Sequence, residues 1–456
     1  MKALMLCGLF MATTCVAAKL DESVDEVTAE VQSRTGKRVQ WNRAQRNAEA
    51  ESFVSAQLRR PVTANSAVQI ALLNNHELQA TFEEIGLAQA DLIEAGLLRN
   101  PLFEFERRWP GAALEADLFV ELLDALFLPM RKRVATAELA AAKLRVGHEI
   151  LKLAGETRAA FYENQGNDQL GEIGQTASDA SGASADAALR LHEAGNTKAL
   201  DLANEAALHT QAKLDFAKAQ ALAIESREKL NKLMGVWGDR TNWRAANRLP
   251  DLPSPEIGPR GLESRAIAQR MDLAALKQEA FANAQRLGSA RFQEIAQQFE
   301  IGGHYEHEPD HGESRGPSIR MPIPFFNFGQ GAKARAEARV RQLRERYLAL
   351  AVNIRSEVRS ARDRMLLSRQ RAEYVKAEVL PLRRRVLEET QLEYNAMQIG
   401  VFELLRAKQE EANAGREYVE ALRDYWMARA ELEKAVGGTL SGKQLVISNK
   451  EGAPRR

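Results

Sequence analysis

Apolar residues recur at intervals of three and four along four long stretches of this chain, and this spacing predicts amphipathic α-helices. The first pair runs from Met130 to a glycine turn at Gly195 and returns to Gly235. The second pair turns at Gly400 and ends at the glycines at positions 437 and 438. Because alanine occupies many apolar positions and the period is close to 3.5 residues, the helices are predicted to pack as coiled coils.

The stretch from Met130 to Gly195 has about 65 residues, which span about 100 Å as one helix at ~1.5 Å per residue. Aromatic residues make up only 6% of the chain and charged residues 27%, a composition typical of extended helical proteins. On the helices alone, the chain could be a soluble periplasmic coiled coil with a structural or signalling role. That alternative stays open at this point.

Four shorter stretches alternate between apolar and polar residues, which predicts β-strands. They occupy residues 101–109, 115–129, 297–308 and 317–326. In the first of them, Phe103 and Phe105 face one side while Glu104 and Glu106 face the other. Such strands are typical of a transmembrane β-barrel with lipid outside and water inside, and also of a half-buried soluble sheet. Because the sequence offers no second layer to cover the apolar faces, the barrel is favoured.

Four strands are too few to close a barrel, and open strand edges are not tolerated in a bilayer. Several copies of the chain are therefore expected to complete one ring. At the end of the fourth strand, Pro322 and Pro324 remove backbone donors where the chain leaves the sheet. The following FNFGQG predicts a bend into the next helix, with Phe325, Phe326 and Phe328 at the membrane interface.

The same order of elements occurs twice, which predicts two structural repeats. Residues 64–108 and 261–308 each combine an amphipathic helix with a strand, and each half continues with a second strand and two long helices. We place the first repeat at residues 61–255 and the second at residues 256–438. Residues 19–60 are predicted to form a polar N-terminal periplasmic segment, and residues 439–456 a flexible C-terminal tail.

The first 18 residues, MKALMLCGLFMATTCVAA, combine a lysine, a short apolar run and small residues, and we interpret residues 1–18 as a signal peptide. Residues 16–18 resemble an ordinary cleavage site. The sequence ATTC, ending at Cys15, instead resembles an imperfect lipoprotein box, so lipidation of Cys15 stays an alternative. Both cysteines of the chain lie in this leader, so no disulfide or thiolate chemistry is expected beyond it.

Five pieces of sequence together resemble the TolC family of outer-membrane efflux proteins: AVQIALLNNHELQAT, GLLRNPLFEF, RLHEAGNTKALDLA, GPSIRMPIPFFNFGQGAKARAEA and YNAMQIGVFELLRAKQ. The resemblance covers about residues 61–438. It implies a mostly α-helical fold with a small membrane β-barrel. In that fold, a homotrimer with four strands per protomer forms a twelve-stranded barrel in the outer membrane, which continues as a coiled-coil α-helical tunnel through the periplasm.

The resemblance also implies a function, namely the exit duct of a tripartite efflux pump. Small toxic solutes such as drugs or metal ions would pass passively through its open lumen, and a periplasmic adaptor protein and an inner-membrane pump would be its partners. The residues that the resemblance assigns to adaptor contact lie at two turns of the periplasmic tip: Gly195, Asn196, Thr197, Asp201, Gln398, Ile399, Gly400, Val401 and Glu403.

Strand alternation, combined with a barrel, places a set of charged residues in the lumen. Glutamates dominate this set, so the lining is predicted to favour cations. The predicted lumen residues are Glu104, Glu106, Arg108, Glu121, Glu300, His304, Glu306 and Arg320.

The stretch HYEHEPDHGE, from His304 to Glu313, contains three histidines and four acids, which are ligand types that suit zinc, copper or nickel. Alternation puts His304 and His307 on opposite faces of a strand. We therefore interpret the stretch as a solvated loop and predict no metal site.

Charge and motifs narrow the remaining function classes. The net charge is +1, with acids and bases interspersed, so no nucleic-acid partner is expected. The chain has no G-x-S-x-G or H-E-x-x-H motif and no phosphate-binding glycine loop. We therefore predict neither an enzyme nor a cofactor.

Overall fold

A computed structural model describes residues 2–41, 47–109, 113–121, 123–246, 248–254, 261–288, 299–308, 312–321, 323 and 325–440. Helices dominate these residues, and the strands form one sheet. Among the helices described, none combines the length and the apolar character that crossing a bilayer requires.

The described residues of the first half of the chain form six helices and two strands. In chain order they are α1 Lys2–Thr35, α2 Asn47–Leu58, α3 Ala64–Asn74, α4 His76–Ala95, β1 Leu102–Arg108, β2 Ala113–Val120, α5 Asp124–Glu193 and α6 Ala199–Met234. The 70 residues of α5 span about 105 Å at ~1.5 Å per residue.

The second half repeats the order of helix, strand and long helix. After a 3₁₀ turn at Gly238–Thr241, its elements are α7 Leu262–Gln269, α8 Met271–Leu287, β3 Glu300–Glu308, β4 Gly312–Arg320, α9 Gln330–Tyr374, a π-helical segment Val375–Val379, α10 Leu380–Asn395 and α11 Val401–Val436. The sequence predicts the long helices correctly. It also places their turns near Gly195 and Gly400 and their ends at Gly235 and Gly437.

Two of the predicted strands have wrong bounds. The second strand, predicted for residues 115–129, ends at Val120, and α5 begins at Asp124. Asp124 lies in the first turn of α5, where a carboxylate is favoured, and it forms a 2.9 Å ion pair with Arg131 one to two turns later. Both features favour a helix that begins at Asp124 and includes residues 124–129.

The fourth strand, predicted for residues 317–326, is shifted towards the N-terminus. It covers Gly312–Arg320, because its pairing with β3 begins at the hairpin pair Glu308 and Gly312 and ends at Glu300 and Arg320. Phe325 and Phe326 follow the strand and are exposed. Pro322 and Pro324 lie outside the described residues.

The four strands form an antiparallel sheet in the order β1-β2-β3-β4, so each strand pairs with its neighbour in the chain. Within the described part of the chain, β1 and β4 therefore each have a strand partner on one side only. The outer edges of these two strands carry backbone donors and acceptors that pair with no other described strand.

The chain divides into two compact units. One comprises Met1–Ala29, Ala80–His148 and Met271–Asn353, and it contains the sheet. Its helices pack closely at Gly147, where a Cβ would lie 2.6 Å from the Met271 sulfur. A small apolar cluster of Val134, Ala137 and Ala282 lies in the same unit.

The second unit comprises Glu30–Gln79, Glu149–Arg270 and Ile354–Arg456. Its main apolar cluster gathers Ile70, Phe161, Leu230 and Trp243 with smaller residues. The buried Trp243 donates its indole N–H to Asn231 Oδ1 at 2.8 Å, so its polar atom is satisfied inside the cluster.

Two asparagines of this unit cap the end of α6. Asn74 Nδ2 donates to the carbonyl oxygens of Met234 and Gly235 at 3.0 and 2.6 Å, and Asn75 Nδ2 donates to that of Leu233 at 3.0 Å. The last carbonyls of a helix lack partners inside the helix, so these bonds stabilise its end. Gly235 itself has φ +66, and a Cβ there would lie 2.5 Å from the Asn74 oxygen.

We expect Gly235→Ala to lower the free energy of unfolding by about 2–4 kcal/mol, because alanine adds left-handed strain to a backbone clash. Gly195→Ala is the matched control, since Gly195 has φ +77 but open space around its Cβ position. The control should cost only about 1 kcal/mol. Chemical denaturation midpoints measure both, and equal losses would contradict the packing argument.

Candidate functional site

The register of the sheet assembles a charged face from all four strands. Asp117 lies opposite Glu104 on one side and His304 on the other. In the next row, Glu115 lies opposite Glu106 and Glu306. Because side chains two residues apart share a face, Arg108, Glu300 and Arg320 belong to this face too.

Arginines at two corners of the charged face neutralise part of its negative charge. Arg108 lies 2.7 Å from Glu115 and 3.1 Å from Glu106. Arg320 lies 3.0 Å from Glu300 and 3.5 Å from Glu104. Carboxylates outnumber guanidinium groups on this face, so its potential is negative overall.

The contact between Arg320 and Glu104 also reports the curvature of the sheet. Arg320 belongs to β4 and Glu104 to β1, and three strand spacings of ~4.8 Å would separate these strands by about 14 Å in a flat sheet. The Arg320 guanidinium also lies 4.1 Å above the Phe119 ring on β2. Phe119 on this face is only 4% exposed, whereas Phe103 on the other face is 64% exposed, and together with these contacts this indicates that the charged face is concave.

The opposite face of the sheet carries exposed apolar side chains, with charged residues such as Arg107, Glu313 and Arg315 towards the hairpin turns. Phe103 and Phe105 are 64% and 58% exposed, and Ile319 is 66% exposed. Leu118 lies directly opposite Phe103 in the ladder and is also exposed. The exposed apolar side chains therefore form a surface that spans at least β1, β2 and β4.

The structure brings most predicted lumen residues together. Seven of them share the charged face, namely Glu104, Glu106, Arg108, Glu300, His304, Glu306 and Arg320. Glu121 differs, because it follows the last residue of β2 and pairs with Arg99 at 2.9 Å.

Sequence reasoning missed Glu115 and Asp117, which contribute two carboxylates to the middle of the charged face. The signal was available, since both residues alternate with Leu114, Ala116 and Leu118 in the sequence. The predicted lumen set included only Glu121 from this strand.

The histidine-rich stretch is mostly strand rather than loop, which corrects the sequence interpretation. His304 to Glu308 belong to β3, and Gly312 and Glu313 belong to β4. His307 pairs with Leu114, so it lies on the apolar face, opposite to His304, as alternation predicts. His311 lies outside the described residues.

The first predicted tip turn is a compact helix reversal. Gly195 has φ +77, and the N–H of Asn196 donates to the Leu191 carbonyl at 2.8 Å. His192 Nδ1 lies 2.8 Å from the carbonyl oxygen of Thr197, which ties the two sides of the turn together. Asp201 lies in the first turn of α6, where its charge is favourable.

The second tip turn differs from the expected glycine turn. Its left-handed residue is Met397, with φ 58, and its side chain is 93% exposed. Gly400 is extended and caps α11, with its N–H donating to Glu403 Oε2 at 3.0 Å. Gln398 N–H donates to the Glu393 carbonyl at 2.9 Å and closes the preceding helix. Ile399 and Val401 complete the predicted set at this turn.

A polar clasp holds the connection between the two halves of the chain. Asp251 Oδ1 accepts hydrogen bonds from Lys376 Nζ at 2.9 Å and from the Tyr418 hydroxyl at 3.2 Å. The bond from Lys376 lowers the pKa of Asp251, and the same bond raises the pKa of Lys376. Burial raises the pKa of Tyr418, which keeps its hydroxyl proton available as a donor. Trp426 Nε1 adds a bond to the Pro250 carbonyl at 2.8 Å.

Comparisons with known proteins support this architecture. No protein-family model matches the chain. It is 21% identical over 391 residues to the cobalt-zinc-cadmium resistance protein CzcC of Cupriavidus metallidurans, covering 83% of this chain and 90% of that protein.

Two solved structures have the same fold. The Campylobacter jejuni CmeC outer membrane channel gives a TM-score of 0.70 at 15% identity, with 82% of this chain and 85% of that chain covered. A membrane protein from Pseudomonas aeruginosa gives a TM-score of 0.67 at 18% identity, with 84% of this chain and 92% of that chain covered. The resemblance to TolC-family channels seen in the sequence is therefore confirmed at the level of the fold.

We expect Asp251→Asn to speed amide hydrogen exchange at Leu249, Asp251 and Leu252 by about two- to fivefold, because the variant loses an exposed ion pair worth up to ~1 kcal/mol. In the unaltered protein, protection should stay constant from about pH 5 to about pH 9. The lowered pKa of Asp251 and the raised pKa of Lys376 keep both groups charged across that window. Protection from exchange therefore falls only below the pKa of Asp251 or above the pKa of Lys376. Asp239→Asn is the control, and titration of the protection near neutral pH would contradict the clasp.

Proposed function

We propose that this chain is the outer-membrane channel of a tripartite efflux pump and carries small toxic solutes, such as drugs or metal ions, passively to the exterior. The observation that carries the proposal is the curved sheet, which has a charged concave face and an exposed apolar face on the other side. Lipid suits the apolar face and water suits the charged one. A soluble coiled coil would leave that apolar surface in contact with water.

The open edges of β1 and β4 support a homotrimer. In a bilayer, backbone groups along these edges need partners, and pairing β4 of one protomer with β1 of the next satisfies them. Three protomers give a ring of twelve strands. Barrels of about eight strands are filled by side chains, so a ring of twelve leaves room for an open lumen.

In this proposal the long helices form the tunnel through the periplasm. Small buried residues let them approach one another closely, as at Gly166, where a Cβ would lie 2.6 Å from the Arg423 side chain. We assign the repeats to residues 61–255 and 256–438, the N-terminal periplasmic segment to residues 19–60 and the tail to residues 439–456. Residues 1–18 act as the signal peptide. In the alternative, cleavage occurs before Cys15, and Cys15 then carries a lipid.

The helix turns at Gly195 and Gly400 are the proposed contact with a periplasmic adaptor protein, which links the channel to an inner-membrane pump. Both turns are exposed, and α5, α6 and α11 surround a cleft of about 820 Å³ beside them, lined in part by Glu205, Phe402 and Arg406. Energy for transport comes from the pump, so the lumen itself performs no chemical step.

The purified protein should be trimeric in detergent and should conduct ions across planar lipid bilayers, with cations favoured over anions. Glu104→Gln removes one charge per protomer from the charged face and should lower the cation-to-anion permeability ratio by about twofold at 0.1 M salt, where the Debye length is ~10 Å. Asp239→Asn removes a charge from an exposed site outside the sheet and should leave the ratio unchanged. A monomer without conductance, or anion preference, would contradict the proposal.

We expect Leu200→Asp to weaken binding of the adaptor at least about tenfold, because Leu200 is exposed between Thr197 and Asp201 at the tip and a charge there opposes an apolar contact. Leu222→Asp introduces the same change on the same helix, away from the turn. Binding is measured by titrating the trimer with the purified adaptor. Equal losses in both variants would remove the tip from the interface.

A further inference from the structure

Three side chains near the middle of the charged face converge on one point. Glu115 and Asp117 are two residues apart on β2, and His304 lies directly opposite Asp117 on β3. His304 Nδ1 is 2.9 Å from Asp117 Oδ1 and 3.8 Å from Glu115 Oε1. One ligand atom from each residue fits within a span of 4.8 Å.

These distances match the dimensions of a metal site. Zinc binds imidazole nitrogen and carboxylate oxygen at ~2.0–2.2 Å, so the ligand atoms of a tetrahedral site lie about 3.4 Å apart. The Nδ1 distances of 2.9 and 3.8 Å fall on both sides of that value. The ligand atoms of all three residues lie within 4.8 Å of one another, which is close to the span of such a site.

The second ring nitrogen of His304 provides an independent indication. Its Nε2 lies 3.7 Å from Glu306 Oε2, which is an ion-pair distance slightly longer than a hydrogen bond. Histidines that bind a metal through one nitrogen usually orient the other nitrogen towards a carboxylate. Glu306 is in the position of such an orienting residue. A carboxylate beside the second imidazole nitrogen is a feature of metal-binding histidines that a cluster of acids does not provide by itself.

The site is also accessible and has room for an ion. His304 lies opposite Gly316 on β4, where no atom lies within 4 Å of a Cβ position. The three ligands are half-buried, so an ion can reach them from the concave side.

We propose that Glu115, Asp117 and His304 bind a divalent first-row transition metal such as Zn²⁺ or Co²⁺, with Glu306 as the orienting residue. The mixed nitrogen and oxygen ligand set favours these ions over Mg²⁺, which prefers six oxygen ligands. Three protein ligands leave a coordination position for water, so the ion can exchange. Metal binding itself does not depend on the proposed function. The role of the site, as a place that metal ions occupy during passage, rests on the proposed function.

The test is Co²⁺ titration of the full-length, metal-free trimer, followed by visible absorption and by competition with Zn²⁺ and with Mg²⁺. We expect one saturable Co²⁺ per chain, displaced by Zn²⁺ but not by an equal concentration of Mg²⁺. His304→Ala and Asp117→Asn should each weaken binding at least about tenfold. His307→Ala is the matched control, because His307 lies on the same strand but on the apolar face, and it should bind Co²⁺ unchanged.

Bilayer conductance of the same preparations separates this proposal from the proposed function. It also shows that the variants have folded and assembled. Conducting trimers that bind no Co²⁺ saturably, or that lose binding equally in His307→Ala, would overturn the metal site and leave the channel standing. Co²⁺ binding with the expected variant pattern but without conductance would support the site and contradict the channel.

Discussion

Backbone hydrogen bonding at the two outer edges of the sheet is the constraint on which the proposed assembly and membrane insertion depend. A sheet with one apolar exposed face gains free energy when that face enters lipid, but lipid offers no partner for unpaired N–H and C=O groups. Among the strands that the structure describes, the order β1-β2-β3-β4 leaves two such edges, one on β1 and one on β4. In the trimer that we propose, pairing between copies meets this requirement, and the concave shape of the charged face suits closure into a ring.

The helices face a different problem, because their length gives each of them a large surface to bury without a globular core. Close approach solves it at positions such as Gly147 and Gly166, where a single Cβ would collide with the neighbouring helix. Helix ends then need their own partners, and Asn74 and Asn75 supply them at the end of α6. The arrangement is held by many small contacts, so its stability is spread along the helices.

Much of this could be predicted from the sequence, because periodicity depends on neighbouring residues alone. The long helices, the turn at Gly195 and the alternation of Glu104 and Glu106 with Phe103 and Phe105 are all local patterns. What the sequence did not predict depends on side-chain contacts or on backbone detail. The start of α5 depends on Asp124 and Arg131, and the left-handed residue of the second tip turn is Met397 rather than a glycine. The Asp251 clasp joins residues more than a hundred positions apart.

The three side chains that converge at His304 are another contact that the sequence alone does not predict, and this contact bears on function. Alternation assigns His304 to a face, but only the register of β2 against β3 places Asp117 opposite it and Glu115 one row away. A conducting path needs sites that attract an ion without retaining it. Exposed carboxylates paired with Arg108 and Arg320 give a diffuse attraction, whereas an imidazole flanked by two carboxylates discriminates by ligand chemistry. The concave face therefore combines weak attraction for cations in general with one place where transition metals are distinguished, and the half-exposed ligands leave the bound ion open to exchange.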